Sequence, residues 1–346
     1  MTTPDISLDV LPPQAPQTLD EEERRRRRRM LLLLLLGLLL TALVLFSAWY
    51  LLFRKPITDI IPPTANFAMP TYVNATYDVA QPLSVAVSPD GSRIYVTQGK
   101  GTRETLILDS AGKQLGTLAP PAVDGVIATQ MFVAVDPGSG DVYATDRTAG
   151  QVRIYAADGT FKRVLEPPTD MGVWQPLGIT VDGNGNVFIA DVAPPFTRIH
   201  EFARDGAFVR DFGTEGQMDH PNGLALDSNG NLYVGSTGNG QILVFDPAGN
   251  QRALVARGPG AGDVGLPRGV AIDDKDRVYV VDSTGQHVLV YRALKDGASS
   301  LEYVDQFGRE GINDGAFEFP NGVAVDTRSR IYIADWNNDR IQLWSY

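Results

Sequence analysis

Cysteine is absent from all 346 residues. Disulfides, thiol catalysis, iron–sulfur clusters, covalently attached haem and a lipoprotein anchor are excluded together. Histidine is scarce, with three copies, His200, His220 and His287. Positive charge is scarce as well: 30 basic residues stand against 41 acidic ones, for a net −11. The deficit is uneven. Before Lys55 seven arginines meet six acids, whereas from Lys55 onward 23 basic residues face 35 acidic ones. A domain with that acidic excess lacks the basic footprint that nucleic-acid binding requires. With no cross-links it must hold together by its core, and about 275 residues suffice for one.

What the chain does have is a motif repeated six times. Its clearest copy reads Pro320-Asn321-Gly322-Val323-Ala324-Val325-Asp326, then Arg330-Ile331-Tyr332-Ile333-Ala334-Asp335, then Asn338-Asp339-Arg340-Ile341-Gln342-Leu343-Trp344. Partners start at Pro82, Gln130, Pro176, Pro221 and Pro267, and the last apolar residues of the first strands are Val87, Val135, Val181, Leu226, Ile272 and Val325. Those positions lie 48, 46, 45, 46 and 53 residues apart, a period that means a propeller or solenoid. Each unit holds four strand signals separated by turns such as Asp182-Gly183-Asn184-Gly185, which predicts an all-β fold. A four-stranded sheet cannot cover its own faces, and radial packing covers both. The sixth unit stops after its third strand, while an unmatched strand signal, Tyr72–Val79, precedes the first. We expect that segment to complete the last blade and leave no edge unpaired. The expected fold is therefore a six-bladed β-propeller over residues 72–346, preceded by a single transmembrane α-helix.

The apolar run Met30–Phe53 is 24 residues long, and Arg24–Arg29 stand directly before it. About 20 residues span a bilayer core, so the run crosses with room for tilt. The arginine excess on its N-terminal side predicts a cytoplasmic N-terminus and a propeller on the far side of the membrane, with Trp49 and Tyr50 at the outer interface. A cleaved signal peptide has an apolar core of about 7–15 residues, shorter than this one, so an uncleaved anchor is expected. Residues 1–29 read as a disordered cytoplasmic tail, and 54–71, with four prolines, as a stalk.

The repeat resembles the NHL family of six-bladed propellers, most closely in its third to sixth units. That resemblance implies that function sits on the face formed by the loops leading into each first strand and those joining second to third strands. The leading positions are Gln81, Thr129, Gln175, His220, Leu266 and Phe319, and just inside them lie Leu83, Met131, Leu177, Asn222, Arg268 and Asn321. NHL-like amidating lyases hold zinc with three histidines from equivalent places, but the three here are not repeat-equivalent. Lactonase-type propellers use Glu, Asn and Asp for calcium, yet no acid appears among the inner positions. The Asp recurring at strand ends reads as turn chemistry, and Asp273, Asp274 and Asp276 as a solvated turn on the opposite face. No metal or cofactor is implied. The candidate binding face comprises Trp174, Gln175, His220, Asn222, Arg268, Asn321, Trp336 and Asn337, where Trp and Arg are the residue types that anchor interfaces. The expectation is a non-catalytic membrane protein of a bacterial cell, resembling the outer sensor propellers of receptor kinases, that binds a protein, peptide or glycan. The alternatives are a metal-dependent lyase or lactonase and a structural docking subunit of a membrane complex.

Overall fold

A computed structural model describes residues 21–53, 68–101, 103–119, 129–167, 172–195 and 197–346. The chain divides into two units, Met1–Phe67 and Ala68–Tyr346.

The first unit holds one helix, Glu21–Phe53, of 33 residues. It starts upstream of the apolar run and takes in Arg24–Arg29. The predicted disordered tail is therefore corrected over 21–29, where glutamates at the start suit the positive N-terminal end of a helix dipole and arginine is a good helix former. The remainder of the tail, residues 1–20, and the stalk over 54–67 lie outside the described residues, as do the side chains of Trp49 and Tyr50. Every described side chain from Arg24 to Ser47 is exposed, and Thr41 returns its hydroxyl to the Gly37 carbonyl at 2.9 Å. Among the described residues this helix is long and apolar enough to cross a membrane. By length and composition it fits an anchor and also a signal sequence.

The second unit is a six-bladed β-propeller of six four-stranded antiparallel sheets. The innermost strands are Pro82–Val87, Phe132–Val135, Pro176–Val181, Pro221–Leu226, Pro267–Ile272 and Pro320–Val325. In blades 1–5 the strands run outward in sequence order. In blade 6 the outermost strand is Thr71–Thr76, paired antiparallel with Arg340–Ser345. Thr71 lies opposite Ser345 and Thr76 opposite Ile341, so the ring closes as expected, with a strand ending three residues short of the predicted Val79.

One packing rule repeats in every blade. The second strand carries an aromatic residue directly opposite a small one on the inner strand. Tyr95 faces Ala86, Tyr143 faces Ala134, Phe188 faces Thr180, Tyr233 faces Ala225, Tyr279 faces Ala271 and Tyr332 faces Ala324. All six rings are buried. Pairing large with small fills the wedge between blades at interior density. Near the opposite end of the inner strands, the Gly of the Pro-x-Gly motif permits close approach. A Cβ on Gly223 would lie 2.4 Å from the Arg268 carbonyl oxygen, and one on Gly269 would lie 2.7 Å from the Val323 nitrogen. The inner strands of adjacent blades thus meet backbone to backbone.

Candidate functional site

The recurrent aspartates are structural. Those ending inner strands accept backbone N–H groups two and four residues on: Asp227 from Asn229 and Asn231 at 3.0 and 2.8 Å, and Asp326 from Arg328 and Arg330 at 2.9 and 3.0 Å. Their second oxygens take the Asn231 amide, the Arg330 guanidinium and the hydroxyls of Tyr233 and Tyr332. Aspartates ending second strands hold the loop that leads into the inner strand. Gln175 donates its N–H to Asp191 at 2.7 Å, and Glu318 donates to Asp335 at 2.7 Å. Their charge is met from the third strand, by Arg153 on Asp146 at 2.8 Å and Arg340 on Asp335 at 2.8 Å, all four side chains buried. These pairings were not read from the sequence, although a cation or amide alternating with apolar residues on a third strand is the signal.

In blade 3 the place of Arg153 is taken by His200, fully buried between two carboxylates. Its Nε2 lies 3.2 Å from Asp191 and its Nδ1 2.5 Å from Asp211. Burial works against a charged imidazole, but the two carboxylates outweigh it and raise the pKa above the ordinary histidine value. Asp191 and Asp211 are desolvated too, yet their bonds to His200 hold both below the usual carboxylate range. The Trp174 ring lies 6.3 Å from the His200 ring and 6.0 Å from Phe202.

That arrangement corrects one expectation. Trp174 is 3% exposed and donates its indole N–H to the Gly150 carbonyl at 2.7 Å, so it packs inside the blade and offers no surface. Gln175 is half-buried and accepts from the Arg147 guanidinium at 3.3 and 3.2 Å. His220 is exposed beside Asp219, 2.5 Å from its carboxylate. Trp336 is half-buried, and the exposed Asn337 donates to Glu318 at 2.9 Å.

Asn222, Arg268 and Asn321 come together. They occupy the same position in the adjoining inner strands of blades 4, 5 and 6, immediately after the leading proline. Each of these strands carries a register irregularity there, between Pro221 and Gly223, Pro267 and Val270, and Pro320 and Val323, as the inner strands of blades 1 and 3 also do. With Leu83, Met131 and Leu177 from blades 1–3, the three complete a ring at one end of the central channel. Asn222 donates to Thr237 at 2.9 Å, and Thr237 donates on to the Pro267 carbonyl at 2.6 Å. Asn321 has no such relay, because Trp336 stands where blade 4 has Thr237. Its buried Oδ1 has no hydrogen-bond partner. Arg268 is half-buried. Among the described residues its guanidinium makes no ion pair or hydrogen bond, and burial alone pulls its pKa below the ordinary arginine value.

Around the ring runs a rim of strained backbone. Gln81, His220 and Phe319, each directly before an inner-strand proline, have φ of 48°, 47° and 50°. Left-handed geometry is uncommon for such residues, and strain of this sort collects at functional sites. Phe319 is also 44% exposed. It was passed over in the sequence because no local pattern marks a strained residue before Pro.

The channel itself holds a cavity of about 900 Å³ lined by all six inner strands. It reaches Ser84, Phe132, Ile179, Gly269 and Gly322 near the ring and Asn222 within it, and extends to the turns around Pro89, Pro137, Asn184, Ser228, Asp274 and Thr327. Its lining mixes aliphatic side chains of the inner strands with polar groups of the turns, and Asp182, Asp227, Asp273 and Asp326 are committed to their own turns. Among the described residues no group of three His, Asp or Glu side chains could hold a metal ion.

Residues 208–243 match a family described as a beta-propeller repeat. No curated protein sequence matches the chain. Among solved structures, a streptogramin B lyase is 16% identical with a TM-score of 0.55, over 80% of this chain and 98% of that one. A virginiamycin B lyase from Staphylococcus aureus is 17% identical with a TM-score of 0.54, over 80% and 99%. A propeller in a nidogen/laminin complex is 21% identical with a TM-score of 0.51, over 61% and 75%. At these identities the likeness is one of fold. The similar structures include both enzymes and a protein-binding module, so function has to be argued from the site.

Proposed function

We propose that this is a single-pass membrane protein, N-terminus in the cytoplasm, whose propeller stands on the far side and binds a protein or peptide partner through the ring and its rim. The observation that carries the binding face is Arg268. A half-buried guanidinium without a partner costs free energy in the free protein, and a ligand that supplies an acceptor recovers it. The strained rim residues His220 and Phe319 surround it, and Trp336 lies in the adjoining loop. A glycan-binding face would offer aromatic rings for stacking, and with Trp174 buried the half-buried Trp336 is left. A peptide suits the mixed apolar and amide character better. The anchor rests on helix length and on the arginines before it.

A photoreactive phenylalanine analogue placed at Phe319 or at Asp274 in the full-length protein, in its own membrane, tests the face. Adducts are expected from position 319 but not from 274, and they should disappear when Arg268→Gln is added. Adducts arising from 274, or adducts at 319 that ignore Arg268→Gln, would overturn the reading.

A further inference from the structure

The ring is divided. In a six-bladed circle each blade faces the one three places on, so Leu83 lies across from Asn222, Met131 from Arg268, and Leu177 from Asn321. Blades 1 and 2 therefore present an aliphatic arc through Leu83 and Met131, with Leu177 of blade 3 packed into the core behind it, and blades 4–6 present a polar one. The polar arc holds two unmet needs of opposite kind. Arg268 is a donor fork without an acceptor. Asn321 Oδ1 is a buried acceptor without a donor, in a side chain only 6% exposed. The two come from neighbouring inner strands whose backbones touch: a Cβ on Gly269 would meet the Asn321 carbonyl oxygen at 2.9 Å.

We infer that the ring captures the C-terminal residue of a peptide, with the free carboxylate on Arg268, the amide N–H of that residue on Asn321 Oδ1, and an apolar side chain against the half-buried Leu83 and Met131. This rests on the ring being the binding face. Each part of such a terminus answers one feature of the site. The planar guanidinium fork matches a carboxylate in two parallel hydrogen bonds. A single cation suits a monoanion better than a phosphate dianion, and Arg147, on the second-to-third-strand loop of blade 2, is already engaged with Gln175. A terminal amide N–H lies a few atoms from its own carboxylate, which is the separation expected of groups on adjacent inner strands. The aliphatic arc lies across the channel, where the side chain of a terminal Leu or Val would extend. The site distinguishes a chain end from an internal acidic residue, because only the terminus places N–H, carboxylate and side chain on one carbon.

Three acetylated tetrapeptides, Ala-Ala-Ala-Leu as free acid, as C-terminal amide, and with an N-methylated terminal leucine, are titrated calorimetrically into the full-length protein in detergent. The free acid should bind, with the other two at least about tenfold weaker, since each leaves a buried group unpaired. Arg268→Gln should erase the preference for acid over amide. Asn321→Ala should erase the preference for N–H over N-methyl while leaving acid over amide intact. Arg268→Lys, which keeps the charge and loses the fork, should fall between, and the far-ultraviolet circular dichroism of each variant establishes that it is folded. Equal affinity for acid and amide, no binding of the free acid, or displacement of the acid by equimolar inorganic phosphate would each overturn the inference. If the acid fails to bind while crosslinks from Phe319 still depend on Arg268, this inference falls and the binding face stands. If both fail, both fall.

Discussion

His200 has exchanged water for two carboxylates, and the exchange makes stability depend on pH in a definite direction. Unfolded, a histidine titrates near 6.5. In the folded protein Asp191 and Asp211 raise that value against the opposing effect of burial. Its contribution is therefore complete below about pH 6.5 and is lost as pH rises through the raised folded value. The two aspartates are lowered, so their contribution is present above the unfolded carboxylate value of about 3.9 and is lost as pH falls through the folded one. The triad stabilises most between these limits. The melting temperature of the wild type should fall between pH 6 and pH 9, and His200→Gln should flatten that slope; parallel curves would remove the charge assignment. At this scale the sequence was partly legible. Arg268 and the two asparagines could be placed because the repeat numbers them. The burial of Trp174 could not, because it depends on the Gly150 carbonyl 24 residues away, and tryptophan suits a core and a surface equally.

At the scale of elements, the repeat made the inner and second strands readable to within a residue or two, since their apolar runs and Asp-Gly turns recur in phase. The helix start was missed because a run of arginines reads as a solvated tail, although arginine is a good helix former. Ring closure was legible from an arithmetic remainder, one strand too few at one end and one too many at the other. The closing strand also covers Trp344, whose ring meets Tyr72 at 6.1 Å edge-on and packs against Phe307 and Phe317. Removing residues 1–65 should leave the melting temperature of the propeller unchanged, whereas removing 1–80 should lower it markedly and shift tryptophan emission to the red. Equal melting temperatures would refute the role of Thr71–Thr76.

For the whole molecule, charge is sorted by region: six arginines before the apolar run, an acidic propeller after it. If orientation follows from that asymmetry, protease added to intact cells should digest the propeller and spare the N-terminal tail. Neutralising Arg24–Arg29 should yield a mixed population, and full protection of the propeller in the wild type would reverse the proposed topology. The blade assembled from both ends also sets a schedule. Thr71 and Ser345 are bonded across 274 residues, so the pairing cannot form until everything between them has been made. Five blades can form in the order they are synthesised, whereas the sixth has to wait for Arg340–Ser345. Until then the strand made first remains an open edge, able to pair with any other chain that offers one. A chain halted before Ile341 is thus an open ring with two raw ends, and the propeller closes only once the partner of its first strand has been made.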